Sequence, residues 1–192
     1  MKIGLYFGSF NPIHIGHLII ANHLAEHSDL EQIWLVVTPH NPLKKKQTLL
    51  DNYSRLEMVR IATINYPKLR PSDIEFKLSQ PNYTVNTLAH LADKYPQHEF
   101  ALIMGEDNLD SLHKWKNYEF IVKNYTIYVY PRVGSAIENS TIPLTNVVKI
   151  AAPKVEISST WIRNNIQKGL NVQPLLSEKV WKYIDHNNFY KK

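Results

Sequence analysis

Lys2-Ile-Gly-Leu-Tyr-Phe-Gly-Ser-Phe-Asn-Pro-Ile-His-Ile-Gly-His-Leu-Ile-Ile-Ala-Asn-His-Leu-Ala-Glu-His27 changes character twice. Residues 2–7 are short, apolar and aromatic, as a buried strand requires. Residues 18–27 place apolar side chains at 18, 21 and 24 or 25, the spacing of a helix face. Between them, Gly8 to His17 holds two glycines, the Ser9 hydroxyl and the imidazoles of His14 and His17. A strand, a tight turn and a helix start leave free backbone N–H groups pointing outward, which makes an anion site. The expected occupant is the triphosphate of a nucleotide.

The same alternation runs through most of the chain. Gln32 to Thr38 is nearly all apolar, and a strand without polar alternation is buried on both faces of a parallel sheet. Asn52 to Asn65 has helical spacing and stops before Pro67. Leu69 to Phe76 reads as a strand, which Pro71 confines to an edge. Thr84 is placed to cap a helix whose apolar face is Val85, Leu88, Ala92 and Tyr95. Glu99 to Gly105 is a further apolar strand, and Trp115 opens a helix to Lys123. Strands at 125–130 and 147–151 and helices at 161–168 and 175–185 complete the pattern, with Gly169 as a helix stop. The prediction is a doubly wound, mainly parallel α/β sheet flanked by helices, of Rossmann-like type. We expect one domain over 1–192, with 170–192 a small C-terminal helical extension.

In such a sheet ligands sit beyond the carboxyl ends of the strands. The chemically unusual residues fall there repeatedly: Gly8–His17, His40–Lys46, Gly105 with Asp107, and Ser158–Arg163. The net charge of +5 suits an anionic partner, nucleic acid or a small phosphorylated substrate. The sequence has no cysteine, so disulfides and Cys-based sites are excluded. It has no signal-peptide pattern and no run long enough to cross a bilayer, and a cytoplasmic location is expected.

His14 and His17 are open to three roles: metal ligation, ordinary packing, or N–H donation to a phosphate. Zinc would want further ligands that no cysteine supplies, so metal: none is the expectation. Gly16 leaves room for a phosphate to approach the backbone. The turn is neither a Gly-Lys-Ser/Thr phosphate loop nor a Gly-x-Gly-x-x-Gly turn. In Ile157-Ser-Ser-Thr-Trp-Ile-Arg163 the hydroxyls could serve only as helix caps. Arg163, about one turn in, can reach back over the same helix start, and hydroxyls, N–H groups and a guanidinium then suit a polyphosphate.

The turn Gly8-Ser-Phe-Asn-Pro-Ile-His-Ile-Gly-His17 with the distal Ile157-Ser-Ser-Thr-Trp-Ile-Arg163 resembles the nucleotidyltransferase superfamily of adenylyl- and cytidylyltransferases. Within it the chain is similar to bacterial nicotinate-mononucleotide adenylyltransferases. The matches that narrow it are Pro81-Asn-Tyr-Thr-Val-Asn-Thr-Leu88, Ile103-Met-Gly-Glu-Asp-Asn-Leu109 and Trp115-Lys-Asn-Tyr-Glu119. Departures are Phe7 where a glycine is frequent, Asn11 where aspartate is common, Ser9 for threonine, and His-Asn-Pro-Leu-Lys-Lys-Lys at 40–46.

The resemblance implies adenylyl transfer from ATP to nicotinate mononucleotide, with Mg²⁺ carried mainly by ATP. It implies His14, His17 and Arg163 as catalytic donors. ATP contacts would come from Gly8, Ser9, Phe10, Gly16, Gly105, Asp107, Arg132, Ile157, Ser158, Ser159 and Thr160. Nicotinate mononucleotide would take Asn41, Lys44, Lys45, Lys46, Tyr83, Thr84 and Trp115. Partners are these two small molecules, with no nucleic acid and no membrane, and no oligomeric state follows. The competing readings are an adenylyltransferase for nicotinamide mononucleotide or for phosphopantetheine, and a non-catalytic nucleotide- or RNA-binding module.

Overall fold

A computed structural model describes residues 1–39, 49–134 and 145–191. Among the described residues six strands form one sheet: β1 Lys2–Gly8, β2 Gln32–Val37, β3 Leu69–Ser72, β4 Glu99–Gly105, β5 Ile127–Tyr130 and β6 Val147–Lys149. The order is β3-β2-β1-β4-β5-β6 and every pairing is parallel. The chain therefore winds outward from β1 in one direction, returns, and winds outward from β4 in the other. The reversal lies between β1 and β4, and a crevice opens beyond the carboxyl ends of strands at such a switch.

The helices are α1 Ile15–His27, α2 Asn52–Thr63, α3 Thr84–Lys94, α4 Glu106–Asp110, α5 Tyr118–Asn124, α6 Ser159–Gln167 and α7 Glu178–His186. They cover both faces of the sheet, which makes two cores. Ile3 and Leu5 of β1 pack with α3, α4 and α5, whereas Tyr6 belongs to the layer with α1, α2, α6 and α7. Ile3, Leu5, Ile33 and Leu35 are completely buried, each stabilising the fold by about 1.5–3 kcal/mol. Val172, Leu176, Val180 and Ile184 from the last part of the chain join the α1 layer. Among the described residues no helix is long and apolar enough to cross a membrane.

Several boundaries differ from the sequence-based expectation for local reasons. α1 begins at Ile15, inside the histidine turn, because His14 is already its cap residue. β3 is the edge strand that Pro71 requires, but it stops at Ser72. The Ser72 hydroxyl takes the Ile74 N–H at 3.4 Å, and a 3₁₀ turn follows over Ile74–Lys77. Thr84 is the first residue of α3, not its cap: the Tyr83 carbonyl receives the Asn86 and Thr87 N–H groups. The buried face of α3 turns on Leu91, and Ala92 is exposed. Trp115 ends a 3₁₀ turn instead of opening a helix. Asn117, at φ 52°, interrupts the chain before α5. β6 is shorter than expected, α6 starts at Ser159 with Ser158 as its cap, and α7 starts at Glu178 behind Ser177.

Candidate active site

A cavity of about 420 Å³ opens where β1 and β4 end. Its floor is set by the turn after β1. A side chain at Gly8 would collide with the Phe10 ring, 2.8 Å from an added Cβ. Phe10 itself sits at φ 45°, a conformation that L side chains rarely adopt. The Phe10 side chain is buried, so it supports the site from below and offers a ligand little more than its backbone.

His17 is boxed by rings. Phe10 meets it edge-on at 5.1 Å, Tyr6 at 6.1 Å, and His14 stacks on it at 3.7 Å. The His14 backbone N–H donates to His17 Nδ1 at 3.2 Å. That nitrogen must therefore be bare, and in the neutral ring the proton sits on Nε2. Burial, then His14 and Arg132, push the His17 pKa well below the usual histidine range. Burial, then Arg132, push His14 down to about 4. Both imidazoles are neutral at pH 7: they can donate N–H, but they bring no charge. An added Cβ on Gly16 would lie 3.0 Å from His14 Nδ1 and 3.1 Å from Val155 Cγ1, so any larger residue would press on the imidazole and on Val155.

The second wall is the start of α6. Ser158 accepts the Trp161 N–H at 3.1 Å and so caps the helix. Ser159 donates to the Pro12 carbonyl at 2.8 Å. Arg163 donates to the Asn11 carbonyl at 2.7 Å and to Thr160 Oγ1 at 3.3 Å. The sequence leaves these hydroxyls open to capping or to ligand binding. Ser159 and the Arg163 guanidinium stitch α6 to the turn after β1, so that the two walls are one structure.

On the β4 side, a Cβ added at Gly105 would meet Asp107 Oδ1 at 2.5 Å and Arg132 Cγ at 2.9 Å, so a side chain here would displace those two half-exposed groups. Glu106 Oε2 accepts the Arg132 backbone N–H at 3.0 Å, and the Arg132 side chain faces Asp107 at 3.6 Å. Gly8, Ser9, Phe10, His14, Gly16, His17, Asp107, Trp115, Arg132, Ile157, Ser158, Ser159, Thr160 and Arg163 line the cavity together. Gly105 lies at its edge, shaping it through Asp107 and Arg132. Tyr83 and Thr84 are half-buried at the start of α3, outside the lining, with Lys116 Nζ 4.6 Å from the Tyr83 ring centre. Tyr83 packs on the same core as Phe7, Trp115 and Tyr118. Asn41, Lys44, Lys45 and Lys46 lie outside the described residues, as does most of 133–145.

Three groups escaped the sequence. Arg55 of α2 is completely buried and donates to the carbonyls of Ser9 (2.6 Å), Thr38 (2.9 Å) and Leu50 (3.0 Å) and to Asn52 Oδ1 (2.7 Å). It fixes the turn after β1 to the end of β2. Its signal was present: it stands on the buried stripe with Met58, Val59 and Ala62. Tyr6 and Tyr130 share a hydrogen bond at 3.2 Å beside His17 and were read only as strand residues. Glu75 accepts the Thr87 hydroxyl at 2.8 Å, and its carbonyl takes Asn82 Nδ2 at 3.1 Å, which fixes the loop leading to Tyr83.

Residues 5–165 match the model of the cytidylyltransferase-like family. A Flavobacterium psychrophilum protein named as a probable nicotinate-nucleotide adenylyltransferase is 72% identical over 193 residues, covering 100% of both chains. The chain belongs to the nicotinate-nucleotide adenylyltransferase family. A Bacteroides thetaiotaomicron member is 43% identical and covers 96% of this chain and 91% of its own. A solved Plasmodium falciparum nicotinic acid mononucleotide adenylyltransferase, complexed with NaAD, has the same fold. Its TM-score is 0.83 at 22% identity, with 98% of this chain and 97% of that one covered.

Proposed function

We propose that the protein transfers the adenylyl group of ATP to nicotinate mononucleotide, releasing pyrophosphate and nicotinate adenine dinucleotide, a step in NAD biosynthesis. The observation that carries this is the gathering of His14, His17, Arg132 and Arg163 on one cleft with Trp115, at the sheet's switch point. A phosphate oxygen of the mononucleotide attacks the α-phosphorus of ATP. The bond from that phosphorus to the bridging oxygen breaks, and pyrophosphate leaves with the electron pair.

The nucleophile needs no base, since the second pKa of a phosphate monoester is about 6. His14, at about 4, is a weaker base than the nucleophile itself. The two imidazoles therefore act as preorganised N–H donors at the oxygens where charge moves, with Arg163 supplying the cation. Ser158, Thr160 and the N–H groups of α6 hold the polyphosphate, Asp107 and Arg132 the adenosine side, and Trp115 with Tyr83 and Thr84 the pyridine ring. Asn41 and Lys44 to Lys46 remain our candidates for the mononucleotide phosphate.

Among the described residues no three His, Asp or Glu side chains gather as a metal cage. The donor set fits a Mg²⁺ ion carried by phosphate oxygens and water, with Asp107 the carboxylate lining the cleft. When bound, the ion neutralises charge on the departing pyrophosphate. We place the reaction in the cytoplasm.

The test is pyrophosphate release from ATP and Mg²⁺ with three acceptors. Release should be fastest with nicotinate mononucleotide, slower with the amide and absent with phosphopantetheine. Release with phosphopantetheine alone would overturn the assignment.

A further inference from the structure

After α7 the chain turns back through two residues in left-handed backbone, Asn188 at φ 53° and Tyr190 at φ 63°. Asparagine visits this region readily. Tyrosine does not, and it stays there only where its surroundings hold it. The turn brings the Tyr190 phenol to the back of the phosphate turn, where its hydroxyl donates to Asn11 Oδ1 at 2.7 Å. The Leu50 N–H reaches the same oxygen at 3.3 Å. Asn11 is completely buried, and its main-chain carbonyl is the one that accepts Arg163 at 2.7 Å. One residue thus joins the phosphate turn, the entry to α2, the guanidinium of α6 and the chain after α7.

Packing alone does not require this arrangement, because a phenylalanine ring would fill the same apolar space against the core. The hydroxyl adds a direction: it fixes the carboxamide plane and, through the Asn11 backbone, the carbonyl that orients Arg163. Because that carbonyl is neutral, it orients the guanidinium without cancelling its charge. Burial raises the phenol pKa, so the group stays protonated and remains a donor at physiological pH.

We propose that Tyr190 is a positioning residue for adenylyl transfer, holding Asn11 so that Arg163 and the histidine turn meet the triphosphate in a fixed register. The proposal rests on reading the cleft as an ATP site.

Tyr190→Phe tests it. The variant should lose roughly 10-fold in kcat/KM for ATP, the scale of a small misplacement of positioned groups, while KM for nicotinate mononucleotide changes less than about 2-fold. In an Arg163→Lys background the same substitution should add less than about 2-fold, because both act on one group. An unchanged kcat/KM for ATP, a KM for nicotinate mononucleotide raised about 10-fold, or a full additional loss in the Arg163→Lys background would overturn the proposal. If Tyr190→Phe does not fold, Asn11→Ser carries the same test from the acceptor side, with the same outcomes deciding. Calorimetric ATP binding is measured alongside. Wild-type protein that binds ATP but transfers nothing would sink the functional assignment, and the ratio of ATP affinities between Tyr190→Phe and wild type would still decide this proposal.

Discussion

Lowering the pH from 7 to 5 should destabilise the ligand-free protein through His14. Its folded pKa is about 4 against the ordinary histidine value of 6.5. Between those values the unfolded chain binds a proton that the folded protein refuses, so stability rises with pH across the window and is lost as pH falls. With these values the loss from His14 alone between pH 7 and pH 5 is about 2 kcal/mol. His17 is shifted in the same direction and adds to it. The depressed carboxyls Asp29, Asp51 and Glu57 titrate mainly below this window, whereas burial raises the Glu75 pKa and works in the opposite sense, so His14 is isolated by comparing variants rather than by the wild-type curve alone. Urea unfolding at several pH values should show the wild type losing stability toward pH 5. His14→Gln, which cannot titrate, should lose about 2 kcal/mol less over the same range. Equal slopes for the two proteins would refute the burial of a neutral imidazole, and with it the argument that His14 is a donor and not a charge.

Further outcomes follow from the same geometry. His17→Ala should lower kcat roughly 10²–10³-fold with the circular dichroism spectrum unchanged. A folded, fully active variant would remove His17 from the chemistry. Arg55→Met leaves the Ser9, Thr38 and Leu50 carbonyls without their guanidinium and, at about 1–3 kcal/mol for each buried acceptor left unsatisfied, should cost at least about 3 kcal/mol in urea unfolding. A cost below about 1 kcal/mol, the net worth of an ordinary hydrogen bond, would show that the turn holds itself. Trp115→Ala should raise KM for nicotinate mononucleotide about 10-fold with KM for ATP little changed, and an ATP-selective effect would move the pyridine pocket elsewhere.

The parallel sheet was legible because Gln32–Val37 and Glu99–Gly105 have no polar face, and only a sheet covered on both sides can bury them. The cleft was legible because a glycine turn, two histidines and a Ser-Ser-Thr-x-x-Arg cluster all followed strand ends. What stayed hidden were contacts that join distant segments. Arg55 is a charge on an apolar stripe, and nothing in its neighbourhood names Ser9 or Thr38 as its partners. Tyr190 looks like one more aromatic near a chain end, and its target, Asn11, lies on another element. The boundary of α3 was missed for a different reason: Thr84 has the residue type of a cap, but the Tyr83 carbonyl takes the helix's first amides.

The central claim is that a phosphate oxygen of nicotinate mononucleotide attacks the α-phosphorus of ATP. Turnover with mononucleotide bearing ¹⁸O in its phosphate, followed by mass spectrometry of both products, tests it directly. The account predicts that all the label stays in the dinucleotide and that pyrophosphate is unlabelled. Label in pyrophosphate, or AMP in place of a dinucleotide, would contradict it.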